Sequence, residues 1–209
     1  MYSHHKNILT AGLPISEAQK AVIFLHGRGS SAQDILGLNQ HLKIDDAALF
    51  APQATNNSWY PYGFMAPDEE NQPALDSAIS IIDELVADLT EQGVPLSKIY
   101  FVGFSQGACL TLEYVARNAT AYGGAVAFTG GLAGKEININ KYKGDFQEMP
   151  ILITTGDPDP HVPVSRVEES RDILQKMNAN TEVRIYPRRP HTITREEIEL
   201  ARTLVFRIS

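Results

Sequence analysis

The stretch Ile99-Tyr100-Phe101-Val102-Gly103-Phe104-Ser105-Gln106-Gly107-Ala108-Cys109-Leu110-Thr111-Leu112-Glu113-Tyr114 joins two patterns. Its first four residues are β-branched or aromatic and predict a buried strand, and the residues after Gly107 predict a helix. Between them lies Gly-x-Ser-x-Gly at a strand-to-helix turn. The bare pattern is weak, but in this context it fits a strained turn that lifts a serine hydroxyl above a sheet. Glycines two residues to either side remove the side chains that would collide there. The plain alternative is an ordinary glycine-bearing turn with a capping serine.

The same alternation runs through the chain. Strands are predicted over 20–25, 48–51, 98–102, 125–128, 150–155 and 182–186. Leu75, Ile79, Ile82, Leu85, Val86 and Leu89 recur at helical spacing between Pro73 and Gly93, and further helices are predicted over 105–117, 164–177 and 194–208. This β, α, β, α order predicts an α/β fold with a mostly parallel central sheet flanked by helices. Two long stretches, 53–71 and 130–149, lack periodicity and are expected to contact substrate.

With 209 residues, 43% hydrophobic and 21% charged, the whole chain, 1–209, reads as one globular domain. Residues 1–19 form an N-terminal segment expected to be partly disordered, with His4 and His5 on a frayed, solvated terminus. Lys+Arg 18 against Asp+Glu 25 leaves a net charge of −7, which repels a phosphate backbone and argues against nucleic acid as a partner. The single cysteine, Cys109, excludes an internal disulfide and points to a reducing, cytoplasmic setting. No apolar run is long enough to insert stably in a membrane. A monomer and a homodimer are equally compatible with the sequence.

A serine hydroxyl needs a base to take its proton and an acid to orient that base. In folds bearing this turn the chain order is serine, acid, histidine, which leaves His161 and His191. His191 is favoured because it follows the strand ending Ile185-Tyr186-Pro187, whereas His161 lies in the loop that should supply the acid. His26, at the end of the first predicted strand, is expected to be structural. The acid comes from Gly156-Asp157-Pro158-Asp159-Pro160, where spacing alone does not separate the two aspartates. Backbone N–H groups of Gln106 and of Arg28, in the loop His26-Gly27-Arg28-Gly29, are expected to bind a developing oxyanion. Trp59, Tyr60, Phe64 and Met65 form an aromatic and soft apolar cluster suited to an acyl-chain wall or, equally, to core packing of the loop that carries them. Gly27-x-Gly29-x-x-Ala32 also matches a dinucleotide-binding fingerprint, but the next strand runs into Pro52-Gln53 and lacks the acid that would hold the ribose.

These motifs resemble the carboxylesterase/phospholipase family of α/β hydrolases, which includes the acyl-protein thioesterases. The likeness covers nearly everything after Lys20 and rests on Phe24-Leu25-His26-Gly27-x-Gly29, Ala51-Pro52 followed by Ser58-Trp59, Gly103-Phe104-Ser105-Gln106-Gly107, Gly156-Asp157-x-Asp159-x-x-Val162-Pro163 and a late histidine. The resemblance implies an α/β-hydrolase fold with Asp159 as the acid and Asp157 as the turn former, and a minimal cap is expected because no helical insertion appears between the strand-like segments. It implies hydrolysis of a small-molecule ester or thioester through an acyl-enzyme on Ser105, with His191 moving the proton and with neither metal nor organic cofactor. A dienelactone-hydrolase-like enzyme acting on small lactones or esters, and a non-catalytic binding protein on the same fold, are the alternatives. The chain departs from the usual pattern at Arg188-Arg189-Pro190, where relatives often carry glycine. Arg28, Arg188 and Arg189 are therefore candidates either for solvated surface cations or for selectors of anionic substrates.

Overall fold

A parallel strand buried on both faces reads as a continuous apolar run, and Ala21-Val22-Ile23-Phe24-Leu25 packs in that way. Ile23 and Leu25 enter the apolar layer on one side of the sheet, while Val22 and Phe24 enter the layer on the other. The structure, a computed structural model, describes residues 2–208. Its strands are β1 (Ile8–Gly12), β2 (Lys20–Leu25), β3 (Ala47–Pro52), β4 (Ile99–Phe104), β5 (Gly124–Phe128), β6 (Pro150–Asp157) and β7 (Asn180–Pro187). They form one sheet in the order β1-β3-β2-β4-β5-β6-β7, in which every pairing is parallel except β1 with β3. The α/β architecture is the one predicted from the alternating pattern.

The helices are α1 (Ala32–Leu36), α2 (Asn39–Leu42), α3 (Ala74–Glu91), α4 (Gln106–Arg117), α5 (Val164–Lys176) and α6 (Arg195–Ala201). In α3 the apolar stripe of Leu75, Ala78, Ile82, Leu85, Val86 and Leu89 is buried, and Gly93 ends the run with a φ of 88°. Helix α4 is buried from Gln106 through Ala116, so it lies inside the protein rather than on it. Among the described residues, no helix is long and apolar enough to cross a membrane.

Four features differ from the sequence expectations. The N-terminal segment is docked: β1 adds an antiparallel edge strand in register from Ile8 opposite Pro52 to Gly12 opposite Ala48. Only Ile8 in it is even half-buried, so main-chain bonding holds this strand and no apolar pattern announces it. His4 is buried, not solvated; its Nε2 donates to the Trp59 carbonyl at 2.8 Å and its Nδ1 accepts from the Thr55 N–H at 3.0 Å. The C-terminal helix changes pitch, passing at Arg202–Phe206 into a wider π turn. Finally, the stretch 130–149 packs on α4 and α5: Arg166 donates to the Leu132 and Gly134 carbonyls, and the buried Glu113 carboxylate accepts from the Ala133 N–H and the Tyr142 hydroxyl.

Burial lowers the pKa of both His4 and His26, the cost of desolvating the charged ring outweighing their backbone contacts. The unfolded chain therefore takes up protons below pH 6.5 that the folded chain refuses, and stability falls on acidification through that window. The thermal midpoint should drop between pH 6.5 and 5, each refused proton contributing about 1.4 kcal/mol per pH unit at most. Calorimetry on His4→Gln should show a shallower dependence than the parent chain.

Candidate active site

Ser105 follows the last residue of β4 and opens α4 at φ 54°, ψ −118°, a conformation that costs a non-glycine residue ~1–3 kcal/mol. Two backbone contacts hold it: its N–H donates to the Phe128 carbonyl at 3.0 Å, and its own carbonyl accepts from the Cys109 N–H at 3.0 Å. The flanking glycines are sterically required. A Cβ on Gly103 would stand 2.2 Å from the Gly107 oxygen, and one on Gly107 would stand 2.0 Å from the Leu25 oxygen.

Asp159 lies in the loop after β6. Its Oδ1 accepts from the N–H groups of His161 and Val162, both at 2.9 Å, and its Oδ2 lies 2.8 Å from His191 Nδ1. Desolvation by itself would raise the carboxyl's pKa, but the His191 imidazole and the two backbone donors together outweigh it and hold the group below the usual carboxylate range. An ionised carboxylate only accepts hydrogen bonds, so His191 Nδ1 carries a proton, and in the neutral imidazole Nε2 is the acceptor. That acceptor stands 2.8 Å from Ser105 Oγ. The imidazole packs against the rings of Phe104 and His161, with centroids 5.2 and 4.9 Å away. The structure thus brings Ser105, His191 and Asp159 into one hydrogen-bonded line, while Asp157 is exposed and His161 sits at its rim.

Two backbone donors border this line. Among the described residues neither the Arg28 nor the Gln106 N–H meets an acceptor, as expected for the open first turn of a helix in the case of Gln106. The Arg28 loop is braced from behind. His26 Nδ1 donates to the Gly27 carbonyl at 2.8 Å while its Nε2 accepts from the Ala54 N–H at 3.1 Å, and Trp59 Nε1 donates to the His26 carbonyl at 2.8 Å. The Gln106 side chain locks the same region, accepting from the Trp59 N–H at 2.9 Å and donating to the Tyr60 carbonyl at 2.8 Å.

A cleft of about 400 Å³ opens beside Ser105, its apolar walls formed by Tyr60, Phe64, Phe104, Cys109 and Val162. Of the four residues expected to wall it, Tyr60 and Phe64 do so. Trp59 and Met65 do not. Trp59 is fully buried because its large ring and single N–H are best satisfied beneath the loop, on the His26 carbonyl, and Met65 lies exposed outside the cleft. The stretch 130–149, also expected to touch substrate, contributes no residue to the cleft lining. Phe104 and Val162 were missed; Phe104 adjoins Ser105 and Val162 follows Asp159 by three residues, and that nearness in sequence was the available signal. Burial pushes the Cys109 thiol up to about 12, so it is an inert wall group.

Of the three arginines, Arg28 lines the cleft, and Arg188 and Arg189 do not. The Arg28 guanidinium donates to the carbonyls of Pro61, at 2.6 Å, and Tyr62. Arg188 is exposed away from the cleft lining, and Arg189 is buried behind the His191 loop, where its fork meets carbonyl oxygens instead of water.

The family model described as phospholipase/carboxylesterase matches residues 10–206. A probable carboxylesterase SOBER1-like protein of Arabidopsis thaliana is 26% identical over 205 residues, covering 88% of this chain and 77% of its own. Acyl-protein thioesterase 1 of Saccharomyces cerevisiae is 26% identical over 214 residues, covering 92% and 94%. The crystal structure of a phospholipase/carboxylesterase from Dyadobacter fermentans superposes with a TM-score of 0.97 at 59% identity, over 99% of each chain. Arabidopsis thaliana SOBER1, at 19% identity and a TM-score of 0.77 over 90% of this chain and 98% of its own, shares the fold.

Relief of the serine's backbone strain should make Ser105→Gly more stable than the parent chain by about 1 kcal/mol, read as a higher thermal midpoint. Because the Asp159 pKa is lowered in the folded state, its contribution to stability is present above the ordinary carboxylate value of 3.8 and is lost as pH falls through the lowered one. The difference in thermal midpoint between the parent chain and Asp159→Asn should therefore be constant at neutral pH and contract below about pH 4.

Proposed function

The chain belongs to the phospholipase/carboxylesterase family, and from that premise we propose that it hydrolyses carboxylic esters or thioesters through an acyl-enzyme on Ser105. The observation that carries this reading is the line of two 2.8 Å contacts from Ser105 Oγ through His191 to Asp159, beside a cleft with unpaired backbone donors. In the first step His191 Nε2 takes the hydroxyl proton as Ser105 Oγ attacks the substrate carbonyl carbon. Negative charge develops on the carbonyl oxygen and is met by the N–H groups of Arg28 and Gln106. Asp159 keeps the imidazole in its Nδ1–H tautomer and stabilises the imidazolium. The proton then passes from Nε2 to the departing alkoxide or thiolate, leaving the acyl group on serine. Water repeats the sequence, with His191 as base, to release the acid.

The apolar walls from Phe64, Phe104 and Val162 support an acyl group of hydrocarbon character, and the family supports a small-molecule substrate. A reading as a dinucleotide-binding protein has no comparable support, since Gly27 lies against Phe104 and Ser105 and β3 ends without an acid.

A fluorophosphonate should label Ser105 alone, located by mass spectrometry, and the Ser105→Ala protein should take up no label. Asp159→Asn should lower kcat by about 10⁴-fold through loss of the productive tautomer, measured on p-nitrophenyl esters. Comparison of those esters with acyl-CoA thioesters fixes the preferred leaving group. An unlabelled Ser105 in folded protein refutes the proposal.

A further inference from the structure

Arg189 is a buried cation, 5% exposed, to which hydrolysis as described assigns no task. Its Nη1 donates to the carbonyls of Pro190, at 2.9 Å, and of Thr192. These are the two carbonyls that flank His191. Its Nη2 donates to Thr129 Oγ1 at 2.7 Å, just past the end of β5, and its Nε stands 3.5 Å from Oε2 of the fully buried Glu197. Glu197 is itself anchored. It accepts from Thr154 Oγ1 on β6 and, at 2.8 Å each, from the Thr194 N–H and hydroxyl.

Ile193 packs against the apolar layer beneath the loop that carries His191, but main-chain hydrogen bonds do little to hold this loop. Among the described residues, none of the N–H groups of His191, Thr192 and Ile193 meets an acceptor within the chain, and Pro190 has none to offer. The Arg189 fork thus supplies the hydrogen bonds that reach this backbone between Arg189 itself and Thr194. Arginine suits the task because a planar, permanently charged fork can donate to two carbonyls and a hydroxyl while its charge stands beside a carboxylate, which an ammonium cannot match.

We propose that Arg189 is a positioning residue for His191: held on Thr129 and Glu197, it clamps the carbonyls on either side of the histidine and fixes the backbone from which the imidazole reaches Ser105 and Asp159. The inference rests on the triad assignment made above. A displacement of about 1 Å in a reacting group costs roughly 100-fold in rate, so release of the clamp acts on turnover and leaves the cleft walls, and hence substrate binding, in place.

The test separates positioning from structural support. Arg189→Met strands the Glu197 carboxylate and should lose thermal stability, whereas Arg189→Met/Glu197→Gln leaves no buried charge unpaired and should recover most of it. Both proteins should show kcat reduced about 10- to 100-fold with KM within about threefold of the parent value, slower fluorophosphonate labelling of Ser105, and loss of the low-field proton resonance of the His191–Asp159 hydrogen bond. Arg189→Lys, which keeps a cation beside Glu197 but cannot span both carbonyls, should fold and show the same kcat defect. A double variant, or the lysine variant, that turns over at the parent rate with the resonance intact overturns the inference while Ser105 labelling in the parent still upholds the triad. A parent protein that takes no label at Ser105 overturns both.

Discussion

Helix α4 approaches strands β2 and β4 so closely that Gly103 and Gly107 have no space for a Cβ, and the serine between them is forced into a positive φ. Every other feature of the site is placed relative to that contact. It sets the height of Ser105 Oγ above the sheet and leaves the first N–H of the helix without an intrahelical partner. It also sets Gly27 against Phe104 and Ser105, so that the loop after β2 faces the same small volume. Burial of almost the entire helix secures the arrangement, because moving α4 outward would expose its apolar groups on several sides.

Around this fixed centre the remaining parts arrive on loops, and each loop is tied down by a buried polar side chain. His26 and Trp59 brace the Arg28 loop, Gln106 braces the segment through Tyr60, and Arg189 with Glu197 braces the histidine loop. Asp159 is held by two backbone N–H groups before it meets the imidazole. Buried polar groups without partners are costly, so loops built this way have few alternative conformations. That rigidity suits a site in which two successive 2.8 Å contacts must persist.

Much of this was legible in the residues. The strands at 20–25, 48–51 and 98–102 announce themselves because both faces are buried and the runs are nearly continuous in apolar residues. The stripe of α3 and the stop at Gly93 follow from helical spacing and glycine's access to positive φ. Strand β1 was not legible, since a main-chain ladder at an exposed edge leaves no apolar period, and α1 and α2 are too short to display one. Ser105, His191, the Asp157/Asp159 pair and the Arg28 loop were legible as candidates, because their chemistry requires particular residue types at strand ends. Trp59 and Met65 were misread as cleft walls, since side-chain type reports apolarity without direction.

The alternation of the central strands β2 to β7 with the longer helices, the Gly-x-Ser-x-Gly turn and the supply of acids and bases were determined by the sequence alone, because each rests on local periodicity or on residue type at a short spacing. The tertiary structure alone decided which surfaces those residues meet. It docked His4 beneath Trp59, turned Trp59 away from the cleft, and buried Arg189 against Thr129 and Glu197. The physical reason is separation along the chain. An arginine reads as solvated until its partners are known, and Thr129 lies sixty residues away, brought alongside only when β5, β6 and α6 pack on one end of the sheet.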